Sequence, residues 1–206
     1  LAGAGRAFCA GHDLRELRAR RDEAWYRDLF ARCSRVMQRL REIPQPVIAR
    51  VHGVATAAGC QLVASADLVV AAEQARFATS GIRLGLFCAT PGVALSRAVG
   101  PRKAFELLFT GDFINARQAE DLGLVNQVVS EAELDAATAR LADRIAAHSP
   151  VAVRLGKDLF YRQLGIPLAD AYAMAGQVMA RNLMAEDAAE GIDAFFEKRP
   201  PAWRGR

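Results

Sequence analysis

Lysine is almost missing from this chain. It stands only at positions 103, 157 and 198 of 206 residues, although Lys and Arg together number 27. Positive charge is therefore carried by scattered arginine. No basic stripe interleaved with aromatics appears, which argues against a nucleic-acid partner. The net charge of +4 reads as a solvated mixed-charge surface, with a mild preference for anionic ligands as the alternative. Cysteine is scarce too. Its four copies, at 9, 33, 60 and 88, form no CxxC pair and have no His at ligand offsets, so no metal site is expected. A chain of this size does not depend on disulfides, so the thiols read as core residues in a reducing, cytoplasmic compartment. No apolar run approaches the roughly 18 residues of a membrane helix, and no membrane association is expected. No Met and no basic-then-apolar leader opens the chain. Leu1-Ala2-Gly3 reads as the end of a strand, which sets the expected start of the protein upstream. Repeats and low-complexity tracts are missing as well.

What is present suits a soluble α/β chain. At 52% hydrophobic and 24% charged residues, it can bury roughly 70% of its unfolded surface in one core. Apolar residues at helical spacing run through 13–42, with a break near Arg20-Arg21-Asp22, and Pro44 and Pro46 end that stretch. Residues 46–51 read as a buried strand, 57–66 as a small-residue helix, 68–72 as a strand and 76–78 as a short extended piece. This alternation implies stacked parallel strands with helices outside. Residues 81–96 read as an irregular loop running into a helix. Beyond 101 the spacing predicts helices over 101–109, 115–122, 131–148, 150–163, 168–184 and 185–197. Asn115 is the expected N-cap of the second of these, with Gln118 three residues on. Leu107, Leu108, Phe109, Leu122 and Leu124 are expected to offer apolar surface, which is compatible with subunit contacts that the sequence alone does not show.

Two segments can carry chemistry. In Val51-His52-Gly53-Val54-Ala55-Thr56-Ala57-Ala58-Gly59-Cys60-Gln61-Leu62, a strand is expected to end at Val51 and a helix to start near Ala57. Free backbone N–H groups and a positive helix end then converge on one point, which can hold a phosphate or the oxygen of a polarised carbonyl. Gln61 faces the same point in this reading, and unlike a glutamate it cannot exchange a proton. In Phe8-Cys9-Ala10-Gly11-His12-Asp13-Leu14, Gly11 permits an unusual turn and Asp13 can cap a helix, which leaves the N–H of His12 projecting. A plain helix start is the equal alternative. Gly3-Ala4-Gly5 opens like a dinucleotide fingerprint, but Phe8 stands where the third Gly belongs and no acidic ribose partner follows.

These residues resemble the crotonase superfamily of enoyl-CoA hydratases and isomerases. The likeness is carried by Ala7 to Leu14, Pro46 to Leu62, Phe109 to Val125 and Phe195 to Trp203, and it covers essentially the whole chain. It implies an α/β crotonase-like ββα superhelix over 1–100, lacking the family's N-terminal segment, and a helical C-terminal trimerisation region over 101–206 of the same domain. It implies an acyl-CoA thioester as partner, coenzyme A only as part of that substrate, and a homotrimer or homohexamer. The family polarises the thioester carbonyl with two backbone N–H groups, here those of His12 and Ala58. Ala10, Gly11, Ala57, Gly59, Cys88 and Thr90 are expected along the substrate. Lys198 resembles a basic residue that meets CoA phosphates, with a solvated helix end as the equal alternative. Hydratases carry glutamates where this chain has Gln61 and Gly81, so ordinary hydration is expected to be weak or absent. Restoring both as Gln61→Glu and Gly81→Glu is expected to raise it if the pocket is otherwise competent. Of other groups near the site, His12 reads as a helix-start histidine with proton transfer as the alternative, Cys88 and Thr90 as loop packing, and Asp67, His52 and His148 as structural. Two activities fit: an enzyme passing through a thioester enolate, or a non-catalytic acyl-CoA binder or scaffold subunit.

Overall fold

A computed structural model describes all residues, 1–206. The chain divides into two compact units, residues 1–40 with 47–139, and residues 41–46 with 140–206.

The first unit holds two small sheets. Strands β1 (Ala7–Cys9), β3 (Val54–Thr56), β5 (Arg76–Ala78) and β6 (Ile114–Asn115) lie side by side in that order. Strands β2 (Ile48–Val51), β4 (Leu68–Ala72) and β7 (Gln127–Val129) form the other sheet. Every pairing is parallel except that of β6 with β5. Parallel strands covered on both faces read as continuous apolar runs. That is why Leu68-Val69-Val70-Ala71-Ala72 is uniformly apolar and buried after its first residue. Between strands run α1 (Leu14–Ala19), α2 (Glu23–Glu42), α3 (Ala58–Ser65), α4 (Ala89–Ala98), α5 (Pro101–Thr110) and α6 (Ala116–Asp121). Phe77, Leu95, Val51 and Val63 are sealed in one core. Truncating a side chain such as Phe77 there typically costs about 3–5 kcal/mol.

Helix α3 packs against α4 and lies over β1. A Cβ built on Gly59 would stand 2.0 Å from the carbonyl oxygen of Cys9. Glycine at this position is what lets the helix approach the strand. Asp13 caps α1 by accepting from the Arg15 N–H at 2.8 Å. Asn115 and Gln118 form the expected reciprocal capping box on α6.

The second unit is helical, with α8 (Pro150–Gln163), α9 (Leu168–Leu183), α10 (Glu186–Glu197) and a C-terminal tail; α7 (Leu134–Ala146) runs from the first unit into it. The tail is tied down by Asp187, which is buried and accepts from the Ser149 hydroxyl at 2.6 Å and from the N–H groups of Arg204 and Gly205. Arg199 grips Glu190 through two hydrogen bonds, and the indole of Trp203 donates to the Ala147 carbonyl.

Several sequence expectations need correction. The strand that feeds the small-residue turn is β3, not the one ending at Val51. His52 and Gly53 carry the chain from one sheet to the other, and three-residue Val54-Ala55-Thr56 was too short to read as a separate strand. The 81–96 loop is a 3-10 turn over Ser80–Leu84 followed by α4, which starts at Ala89. Strands β6 and β7 interrupt the helical stretch beyond 101. Leu107, Leu108 and Leu124 are core rather than surface, and only Phe109 of the expected apolar set is half exposed. The stripe spacing was right, but it marked the face turned to the interior.

Candidate active site

Three neighbouring parallel strands end on the same side of their sheet. Cys9 in β1 pairs with Ala55 in β3, and Thr56 in β3 pairs with Ala78 in β5. Their carboxyl ends therefore deliver residues 10–12, 57–58 and 80–81 to one place, the usual location of ligand sites in parallel sheets. A single cavity of about 250 Å³ opens there. It is lined by Ala10, His12, Ala57, Ala58, Ser80, Gly81, Cys88 and Thr90 together with an apolar set including Leu14, Leu17, Phe30, Leu84, Leu86 and Phe87.

The backbone at this place is unusual in two ways. Gly11 has φ +96°, which glycine tolerates and other residues rarely adopt. Ala57 has φ 52° and ψ −117° at the N-cap of α3. A non-glycine residue held there stores on the order of 1–3 kcal/mol, and such strain gathers at functional sites. Two hydrogen bonds over-determine it: the Ala57 N–H donates to Ala78 O at 3.0 Å, and Ala57 O accepts from the Gln61 N–H at 3.0 Å. The two turns are close, since a Cβ on Gly11 would lie 3.1 Å from the Ala57 Cβ and 3.5 Å from the Ala58 nitrogen. Ala58 is the first residue of α3, so its N–H has no acceptor within the helix and points along the positive helix end.

The polar side chains on the lining are few. The Ser80 hydroxyl is 2.8 Å from that of Thr56, across the β3–β5 pair. The His12 ring meets Phe30 edge-on, with centroids 5.5 Å apart, so it is a wall residue rather than a free surface histidine. Cys88 is buried, and desolvation raises its thiol pKa against a smaller lowering by the Gly81 N–H. Burial, with Cys88 adding to it, pushes Cys60 up to about 12. Both thiols are therefore protonated at neutral pH and poor nucleophiles.

Not every expected residue reaches the cavity. Gly59 accommodates Cys9 instead. Gln61 is buried on α3, 4% exposed and not among the lining residues, and its Oε1 has no hydrogen-bond partner. Gly11 shapes the turn without lining the space. Lys198 belongs to the second unit, where it ends α10 in a left-handed conformation with φ 55°. Among the residues read as structural, Asp67 accepts from the Val47 N–H, and the His52 ring meets Gly5 O at 2.9 Å. Leu14, Leu17 and Phe30 showed in the sequence only as a helical apolar stripe.

Position 81 is closed. A Cβ there would sit 2.6 Å from the Leu86 carbonyl oxygen and 2.8 Å from Cys88 Sγ. The Leu86 N–H donates to Gly81 O at 3.0 Å and holds the loop in this position. Restoring glutamate at 81 is expected to help only if the pocket is otherwise competent, and here the space for its side chain is taken by Leu86 and Cys88. A side chain at 81 must displace backbone.

Fold and site together define a crotonase, and the chain belongs to the enoyl-CoA hydratase/isomerase family, which matches residues 1–206. It is 49% identical to the human "Enoyl-CoA hydratase domain-containing protein 3, mitochondrial" over 98% of this chain and 67% of the relative. The crystal structure of that human protein superposes with a TM-score of 0.95 at 50% identity, covering 98% of this chain and 80% of the other. An enoyl-CoA hydratase from Mycobacterium smegmatis gives a TM-score of 0.96 at 56% identity, over 97% of this chain and 78% of its own. The cytoplasmic assignment is overturned by the mitochondrial naming of the human, mouse and rat relatives. Free thiols separate oxidising from reducing compartments, not one reducing compartment from another. No helix is long and apolar enough to cross a membrane.

Proposed function

We propose that this chain binds an acyl-CoA thioester, polarises its carbonyl with the backbone N–H groups of His12 and Ala58, and hydrates enoyl-CoA weakly or not at all. The observation that carries the reading is the cavity itself. Three parallel strand ends bring both turns to one apolar space whose lining holds no carboxylate. A thioester enolate carries its charge on oxygen, and one preorganised donor is worth about 100- to 1,000-fold in rate. Hydration also needs a base for water and an acid for carbon, each contributing about 100- to 10,000-fold. The family likeness sets Gln61 and Gly81 at those two positions, and neither can serve. Ala10 and Thr90 line the substrate path in this reading, and Lys198 is the candidate contact for CoA phosphates.

A second reading, a non-catalytic acyl-CoA binder or scaffold subunit, is favoured by the closure of Gly81 against Leu86 and Cys88. Calorimetry with a panel of acyl-CoAs, run beside crotonyl-CoA hydration, separates the possibilities. Binding with hydration far below the median enzyme turnover of about 10 s⁻¹ supports the proposal. Turnover at or above that rate refutes the assignment of Gln61 and Gly81. Binding without turnover of any thioester favours the second reading.

The chain is also proposed to form homotrimers or homohexamers. Leu168, Tyr172, Met179 and Leu183 are all more than half exposed, and at 100° per residue they fall on one face of α9. Sedimentation velocity at micromolar concentration tests this, and a monomer there would refute it.

A further inference from the structure

We propose that the Cys88 thiol adds covalently to the β-carbon of a 2-enoyl thioester held in the cavity, so that this chain captures an activated alkene where a hydratase would hydrate it. The inference rests on the acyl-thioester reading above and adds a chemistry to it. The place of the sulfur carries it. A Cβ at position 81 would lie 2.8 Å from Cys88 Sγ. The sulfur therefore fills the space into which a glutamate side chain at 81 would run, and in the family reading that glutamate serves the double bond. Cys88 is 8% exposed and lines the cavity, so a ligand there meets it and bulk solvent scarcely does.

Gln61 marks the same place independently. It is 4% exposed and its Oε1 has no partner. It follows the lining residues Ala57 and Ala58 by four and three positions, so it shares their face of α3, and side chains of a helix lean toward its N-terminus. A buried acceptor without a donor is thus turned toward the cavity, and such groups call for a hydrogen-bonding ligand. The chemistry fits what the lining offers. A thiol releases its proton far more readily than water does, so sulfur can add to the alkene without the carboxylate base that water requires. The Gly81 N–H donates to Sγ and favours the thiolate, while burial opposes it. Addition forms the Sγ–Cβ bond of the substrate and breaks the S–H bond. The electron pair of the double bond moves into the thioester enolate, whose oxygen the amides of His12 and Ala58 hold. The proton lost by sulfur ends on the α-carbon by way of solvent. The product is a thioether, and no oxidant or reductant is consumed.

The test incubates the full chain with crotonyl-CoA, quenches in acid, and reads intact mass and peptide maps. One crotonyl-CoA per chain is expected on Cys88, at least about tenfold more than on the part-exposed Cys9, because the cavity aligns the alkene with one sulfur only. Butyryl-CoA lacks the double bond and is expected to bind without forming an adduct. The rate of capture should rise about tenfold from pH 7 to pH 8, since the thiolate is the reacting form and burial keeps most of the thiol protonated in that range. Cys88→Ser should abolish the adduct. Absence of an adduct in a chain that binds butyryl-CoA by calorimetry overturns the inference and leaves the acyl-CoA reading in place. Failure to bind butyryl-CoA overturns that reading and this one with it. An adduct that favours Cys9, or that persists in Cys88→Ser, reports ordinary solution chemistry of exposed thiols and overturns the assignment to the cavity.

Discussion

Replacing Gly81 by alanine tests the closed loop most simply. The new Cβ would meet the Leu86 carbonyl at 2.6 Å and Cys88 Sγ at 2.8 Å. The carbonyl is backbone and cannot rotate aside. The loop can retreat only by stretching the bond from the Leu86 N–H to Gly81 O, now 3.0 Å. Overpacking of this kind costs about 1–3 kcal/mol, and losing one backbone hydrogen bond adds about 0.5–1.5 kcal/mol. A chain of this size loses roughly 2–4 °C in Tm per kcal/mol, so a fall of roughly 3–18 °C is expected by scanning calorimetry. The double variant Gly81→Ala with Cys88→Ala removes the sulfur and leaves the carbonyl. It should recover part of that loss and not all of it. An alanine variant that melts within about 1 °C of the parent would refute the reasoning, because the loop would then be free to yield.

Gly59→Ala should be worse. Its Cβ would lie 2.0 Å from Cys9 O, forcing α3 off β1, and a loss above about 3 kcal/mol or failure to accumulate as soluble protein is expected. Acid should weaken the second unit. Glu190 is held down to about 2, first by its hydrogen bonds with Arg199 and then by the Ala202 N–H, against an ordinary 4.5. A depressed carboxylate contributes stability in full above its unfolded pKa, and that contribution is lost as pH falls from about 4.5 toward 2. Glu190→Gln should flatten the acid limb of an unfolding titration followed by Trp203 fluorescence, and an unchanged limb would contradict the assignment. Thiol labelling at pH 8 should be slowest at Cys60, which is buried and shifted to about 12. Mass spectrometry finding Cys60 modified before the part-exposed Cys9 would contradict that order.

How far the sequence went can be read from particular elements. Regular apolar spacing over a dozen residues defined α8 to its ends, and the uniform run Leu68–Ala72 defined β4. Of the strands of two or three residues only β5 was legible; β1, β3, β6 and β7 left no such period, and with β3 went the true route into the site. Resemblance and local turn chemistry located Ala10, His12, Ala57, Ala58, Gly81, Cys88 and Thr90, which the fold brings to one cavity. The apolar wall was not legible. Leu14, Leu17 and Phe30 look like any helix stripe until long-range packing turns them toward a space. Gln61 stands in the motif at a position expected to face the reacting centre; its burial on α3 with an unpartnered oxygen is a packing fact that the sequence did not announce. The closure of position 81 depends on a loop that returns five residues later, a contact no local pattern announces.

The central claim is that the amides of His12 and Ala58 hold the thioester oxygen in a cavity without a proton-transfer carboxylate. A crystal structure of the protein with hexanoyl-CoA tests it most directly. The account predicts the thioester oxygen about 2.7–3.1 Å from both nitrogens, with no carboxylate of the chain within hydrogen-bond reach of the thioester's α and β carbons. An oxygen bound away from either nitrogen, or an acidic side chain at those carbons, would contradict it.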